Sequence, residues 1–341
     1  MKKQRIPIIF TSPKASISWM RIWKSLPVAP WIRGAESFRN GDFLNATSHY
    51  KLGINLHPNH PALGCATLDY GYCLYRLNKI KEAIEALETA IELPRIPKEC
   101  FLVLAKLYRN IGNDLAASEV LSKAVEQYPQ HAMLNAQFAL VLCATNGFSH
   151  AMSHVKYRLS SLRKEQPLDS KEQLILDTAL AAYEFRFGDS MLADRILARV
   201  LATGEAPSEA ILMKAERYFE QQRGSAAREL LDRVVQMEPR DPRPLALLSR
   251  LYLCFDEEEG APWALVLAKR ACELSQWQNP ACLQLIAECY EALDDKNAFE
   301  LFQERAKSIG STRQLHLAKV KSLEIHIERL RNLKPSNQSS T

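Results

Sequence analysis

His150 and His154 stand four residues apart in "SHAMSHV". On a helix that spacing places two imidazoles on one face, where they could clasp a metal ion. No third ligand accompanies them, so they read as an exposed helical pair and no metal site is expected. His57 and His60, in "LHPNHP", read as a turn. Eight cysteines (Cys65, Cys73, Cys100, Cys143, Cys254, Cys272, Cys282 and Cys289) are scattered at helical positions without a C-x-x-C pair. Disulfide frameworks belong to short secreted chains, so these are expected to be reduced thiols. The sequence contains no phosphate-binding G-x-x-x-x-G-K-[ST], no G-x-G-x-x-G, no H-E-x-x-H and no G-x-S-x-G. No catalytic residue, cofactor or metal is expected, and the chain is read as non-enzymatic.

What the chain offers instead is a periodic scaffold. In "KEAIEALETAIELP" Ala83, Ala86 and Ala90 share a narrow apolar helical face, which suits close approach by a second helix. The same word recurs at Ala46, Ala117, Ala151, Ala193, Ala227, Ala264 and Ala298. With Ala83 the successive separations are 37, 34, 34, 42, 34, 37 and 34 residues. A recurring period of 34 residues is the signature of a helix-turn-helix array.

On these residues the chain resembles the tetratricopeptide repeat family. The third unit carries the pattern as Leu104, Ala105, Tyr108, Gly112, Ala117, Leu121, Ala124 and Pro129; the sixth as Ala215, Tyr218, Ala227, Leu231 and Pro239; the second as Gly71, Leu74, Ala83, Leu87 and Ala90. The resemblance implies an all-α fold, an α-solenoid of about eight such repeats wound as a right-handed superhelix. Gly71, Ala105 and Ala215 are expected where the two helices of a repeat meet. Gly41, Gly112 and Gly188 are expected at the turns between them, and Pro58, Pro129 and Pro239 at helix ends. Units four and five depart from the pattern, with Arg158 and Val200 at small-residue positions. The expected organisation is a basic segment with a short amphipathic helix over 1–29, repeats one to four over 30–162, a polar loop over 163–173, repeats five to eight over 174–308, a capping helix over 309–334 and a tail over 335–341.

In the family it resembles, the first helix of each repeat lines a concave groove that holds peptides. Carrying that phase over turns Tyr72, Tyr75, Arg76, Lys106, Arg109 and Asn110 inward as the candidate partner-binding wall. Met133, Leu140, Ile175 and Phe185 follow, then Glu209, Glu216, Glu220, Glu288 and Glu291. Aromatic and cationic residues are those that most often carry interface energy. The expected partner is therefore a protein or peptide with acidic and apolar residues. Trp31 and Ala35 stand where a carboxylate-clamping variant of the family has Lys and Asn, which argues against a chaperone-tail receptor of that type.

Charge separates the body from the ends. Residues 1–35 carry +7 and residues 305–341 carry +6, leaving −8 for residues 36–304 of a total of +5. The basic ends keep a second class open, a nucleic-acid-binding or membrane-associated repeat protein, against which the acidic body argues. In "SISWMRIWKSLP" Trp19, Ile22, Trp23 and Leu26 form one stripe. Three readings are open: a cap over the first repeat, a peripheral membrane contact through Trp19 and Trp23, or an organelle leader. Toward the other end His316, Val320, Leu323, Ile327 and Leu330 form a short heptad seam. The expected compartment is the cytoplasm, with the organelle matrix or a membrane surface as alternatives. The oligomeric state stays open.

Overall fold

The computed structural model describes residues 29–93, 95–145, 149–165, 167–255 and 260–314. Among these residues there are sixteen α-helices and no strand. The stripe through Trp19 and Trp23 and the seam from His316 to Leu330 lie outside the described residues, as do the side chains of His150, Ala151 and His154.

The described chain divides into two compact units, one ending at Tyr108 and the other starting at Arg109. The first holds the hairpins α1 (Ala29–Arg39) with α2 (Phe43–Leu56) and α3 (Leu63–Arg76) with α4 (Ile80–Ile91). Helix α5 (Glu99–Asn110) carries the chain into the second unit, which continues with α6 (Asp114–Gln127). Five more pairs complete it: α7 (Ala132–Ala144) with α8 (Ser149–Glu165), α9 (Ser170–Phe187) with α10 (Ser190–Ala202), α11 (Ser208–Glu220) with α12 (Gly224–Met237), α13 (Pro242–Phe255) with α14 (Gly260–Leu274), and α15 (Pro280–Ala292) with α16 (Lys296–Gln314). The all-α helical repeat architecture is the expected one.

Small residues do what the phase assigns them. Ala46, Ala83, Ala117, Ala193, Ala227 and Ala264 are fully buried, whereas Ala298, in the last helix, is only partly so. A Cβ on Gly71 would lie 2.8 Å from Leu87 Cγ, so α3 and α4 touch where side-chain atoms leave no room. The two departures have separate explanations. Val200 is absorbed into the core beside Ile196, Leu197 and Val234. Arg158 compensates for its bulk with hydrogen bonds, its Nε donating to Asn135 Oδ1 at 2.8 Å and its Nη2 to the Pro129 carbonyl, so α8 is held by polar contacts.

The turns within the hairpins follow one design. A residue in the left-handed region precedes the N-cap: Gly41 (φ 78°), Asn78 (61°), Gly112 (71°), Gln222 (60°) and Asp294 (60°). The fifth hairpin differs from expectation. Gly188 has φ −129°, and its missing side chain leaves space for the Glu184 carboxylate, which accepts from the Asp189 N–H at 3.1 Å. Helices α2, α6 and α12 stop one or two residues before Pro58, Pro129 and Pro239.

Three expected boundaries move. The polar stretch 163–173 is mostly helical: α8 runs to Glu165, and α9 starts at Ser170 behind a capping box in which Asp169 and Glu172 satisfy each other's backbone N–H groups. The division between units accordingly falls at Tyr108/Arg109. Helix α16 continues without a break to Gln314, through the point near Ser311 where a separate capping helix was expected to begin.

Candidate functional site

The second unit forms a half-open cavity of about 520 Å³. It is built almost entirely from the first helices of successive pairs. Leu140, Cys143 and Ala144 come from α7, and Ala182, Phe185 and Arg186 from α9. In both helices the spacing is i, i+3, i+4, one helical face. Helix α11 extends the rule over three turns with Glu209, Leu212, Met213, Glu216, Arg217 and Glu220, while its opposite side buries Ala210, Ile211 and Ala215. Arg109 ends α5, Arg243 opens α13, and Asn279 with Pro280 and Ala281 opens α15.

A contact between residues 169 positions apart closes one side. Asn279 caps α15 by accepting from the Ala281 N–H at 3.0 Å, and its Nδ2 donates to the Asn110 carbonyl at 3.2 Å. Gly112 fits beneath it: a Cβ there would sit 2.6 Å from Asn279 Oδ1. The side chain of Asn110 is fully buried, and among the described residues neither end of its amide has a hydrogen-bond partner.

Charge in the cavity is paired unevenly. Arg243 is gripped by the buried carboxylate of Asp241, which accepts from its Nε at 3.0 Å and its Nη2 at 2.6 Å and holds the guanidinium firmly protonated. Arg217 donates to Glu220 at 2.8 Å, lies 3.8 Å from Asp194 and rests over the Phe185 ring at 4.7 Å. Arg109, with 14% of its side chain exposed, has only a 3.7 Å contact from Nε to Asp114. Its Nε makes no hydrogen bond. Burial first, and Arg243 beside it second, push its affinity for protons down. Glu216 opens onto solvent within the concavity. The surrounding protein raises its carboxyl above the usual range despite the pull of Arg243 and Arg109, and Glu220 adds to the rise.

Burial pushes the Cys143 thiol up to about 12, with Arg186 opposing, so it is protonated and a poor nucleophile at neutral pH. Among the described residues no cluster of His, Cys, Asp and Glu has the arrangement of a metal site, and no helix is long and apolar enough to cross a membrane.

The family description "Tetratricopeptide repeat" matches residues 68–96, the stretch of α3 and α4 in which Gly71, Leu87 and Ala83 make the close packing. That stretch matches one tetratricopeptide repeat, set within an all-α helical repeat array. No curated protein matches its sequence. Among solved structures it is similar to human IFIT1, a dimer with m7Gppp-AAAA, at 14% identity over 93% of this chain and 80% of that one, with a TM-score of 0.50. A tetratricopeptide repeat protein from Parabacteroides merdae gives 13% identity, 85% and 99% coverage and 0.49. The TPR2AB domain of yeast Sti1, in a pHSP90 complex, gives 13%, 88% and 97%, and 0.29. At 14% identity the likeness to human IFIT1 is one of fold.

Within this helical array the six candidate wall residues separate. Tyr72 and Tyr75 are interior, 5% and 8% exposed, with Tyr72 packed on Phe38 and on Tyr75. Arg76 lies 4.4 Å over the Phe43 ring, and Lys106 is half-buried. These four belong to the first unit. Asn110 is sealed beneath Asn279, so Arg109 is the one of the six that lines the cavity. Leu140, Phe185, Glu209, Glu216 and Glu220, which the phase turned inward, line the cavity, whereas Ile175 is core and Met133, Glu288 and Glu291 do not line it. Sequence reasoning missed Arg243 and Asn279. Each sits at a helix start, beside an Asp-Pro or Asn-Pro cap signal rather than on a helical stripe.

Proposed function

We propose that this protein is a non-enzymatic interaction scaffold that holds a segment of a partner protein in the cavity of its second unit. One observation carries the reading: the first helices of all the pairs from α7 to α15 turn residues to that single space, joined by Arg109 from α5. A lining of Leu140, Phe185, Leu212 and Met213 among charged groups suits a side-chain-bearing chain. Its arginines are met by as many carboxylates, which disfavours a polyanion such as nucleic acid. All eight cysteines are free thiols, in keeping with the cytoplasm as the proposed compartment.

The test is a cavity-filling variant. Partners retrieved with the full chain are identified by mass spectrometry, and their affinities are remeasured with Met213→Trp after its melting is checked. Tenfold or greater weakening is expected. An unchanged affinity in a folded variant would move the binding surface elsewhere, and affinity that fell steeply with salt would favour phosphate contacts.

A further inference from the structure

The cavity holds two charged groups that the fold leaves incompletely used. Arg109 has five N–H donors, and among the described residues it makes no hydrogen bond, only the 3.7 Å contact to Asp114. Glu216 has neither a hydrogen bond nor an ion pair among the described residues. The Arg109 charge acts on the Glu216 carboxyl, yet no ion pair joins the two. By contrast Arg243 is held through Nε and Nη2 by Asp241, Arg217 is shared between Glu220 and Asp194, and Arg186 and Glu209 have partners of their own. A guanidinium and a carboxylate therefore line one cavity without pairing with each other, and both are available to a ligand's charges.

We propose that the cavity takes a dipolar ligand: a peptide segment that presents a carboxylate to Arg109 and an ammonium or guanidinium to Glu216, with an apolar side chain against Leu140, Phe185 and Met213. The inference rests on the cavity being the partner site. Each charge is poor bait alone. An isolated anion would meet Glu216 and Glu220, and an isolated cation would meet Arg109 and Arg243, so a single-sign ligand gains one contact and suffers a repulsion. A segment of mixed charge satisfies both groups and reads direction as well as sign. This replaces the acidic partner expected from sequence with one that also carries a basic residue.

The experiment is fluorescence polarisation on the full chain with four labelled octapeptides of equal apolar content: one with Glu and Lys, one with acids only, one with bases only and one uncharged. The mixed peptide is expected to bind at least tenfold tighter than the others. Glu216→Gln should reduce its affinity to that of the acidic peptide, and Arg109→Gln to that of the basic one. Both variants are checked for unchanged melting; Glu216→Gln keeps the side-chain length, whereas Arg109→Gln removes the charge and shortens the chain. A preference for a single-sign peptide, or one unaffected by Glu216→Gln, overturns the dipolar assignment while leaving the cavity as the partner site. If no peptide binds although Met213→Trp abolishes partner capture, the dipolar inference alone fails. If Met213→Trp leaves partner capture intact, the cavity reading fails with it.

Discussion

At the scale of single residues, Gly71 weighs two opposed effects. Helix propensity alone favours alanine over glycine by about 1 kcal/mol. Against this, the new Cβ would press on Leu87 Cγ at 2.8 Å inside a filled core, and overpacking costs about 1–3 kcal/mol. Gly71→Ala is therefore expected to be net destabilising, read as a lowered denaturant midpoint; a raised midpoint would mean that α3 and α4 can separate cheaply. Asp69 gives a second test. It accepts from the Tyr50 hydroxyl at 3.0 Å, yet burial outweighs that bond and pushes its carboxyl up to about 7. An acid raised in the folded state favours folding while protonated, and the contribution is lost as pH rises from about 4, the unfolded value, through 7. From pH 5 to pH 8 the wild type should lose about 2–3 kcal/mol more stability than Asp69→Asn. Equal losses in urea titrations at the two pH values would show that Asp69 is not the titrating group.

Among the helices, the alanine phase and the proline stops were legible because they follow from geometry: a close approach admits only small side chains, and proline cannot continue a helix. The turns were half legible. Gly41 and Gly112 announce a left-handed residue, but Asn78, Gln222 and Asp294 occupy the same place, and Gln222 carries no such signal. The capping box at Asp169 and Glu172 was readable as D-x-x-E and shortens a loop that composition alone had lengthened. Long-range closure was not legible, since nothing near Gly112 points to Asn279, 167 positions away. That contact separates two similar glycines. Gly41→Ala meets nothing within 4 Å and costs only its left-handed backbone, about 1–2 kcal/mol. Gly112→Ala bears the same strain and also strikes Asn279. It should be the more destabilising of the two by about 1 kcal/mol or more in paired thermal melts. Equal losses would mean that the Asn110–Asn279 closure has little stabilising role.

At the scale of the molecule, the sequence identified the inward faces but not the space they enclose. Glu209, Glu216 and Glu220 could be assigned to one stripe of α11 by period alone. That they share a cavity with Arg109, more than ninety residues earlier, depends on how successive pairs stack. Tyr72 and Tyr75 show the converse, because aromatic residues suited to an interface are equally suited to a core, and here the core holds them. The central claim is that partners enter the cavity of the second unit, and site-specific photocrosslinking tests it most directly. A photoreactive residue is placed at Met213, which lines the cavity, or at Met191, which is 74% exposed on α10 and outside it. With a partner identified by affinity purification, crosslinks to one defined partner segment are expected from position 213 and none from position 191. Crosslinks from 191 with none from 213 would contradict it.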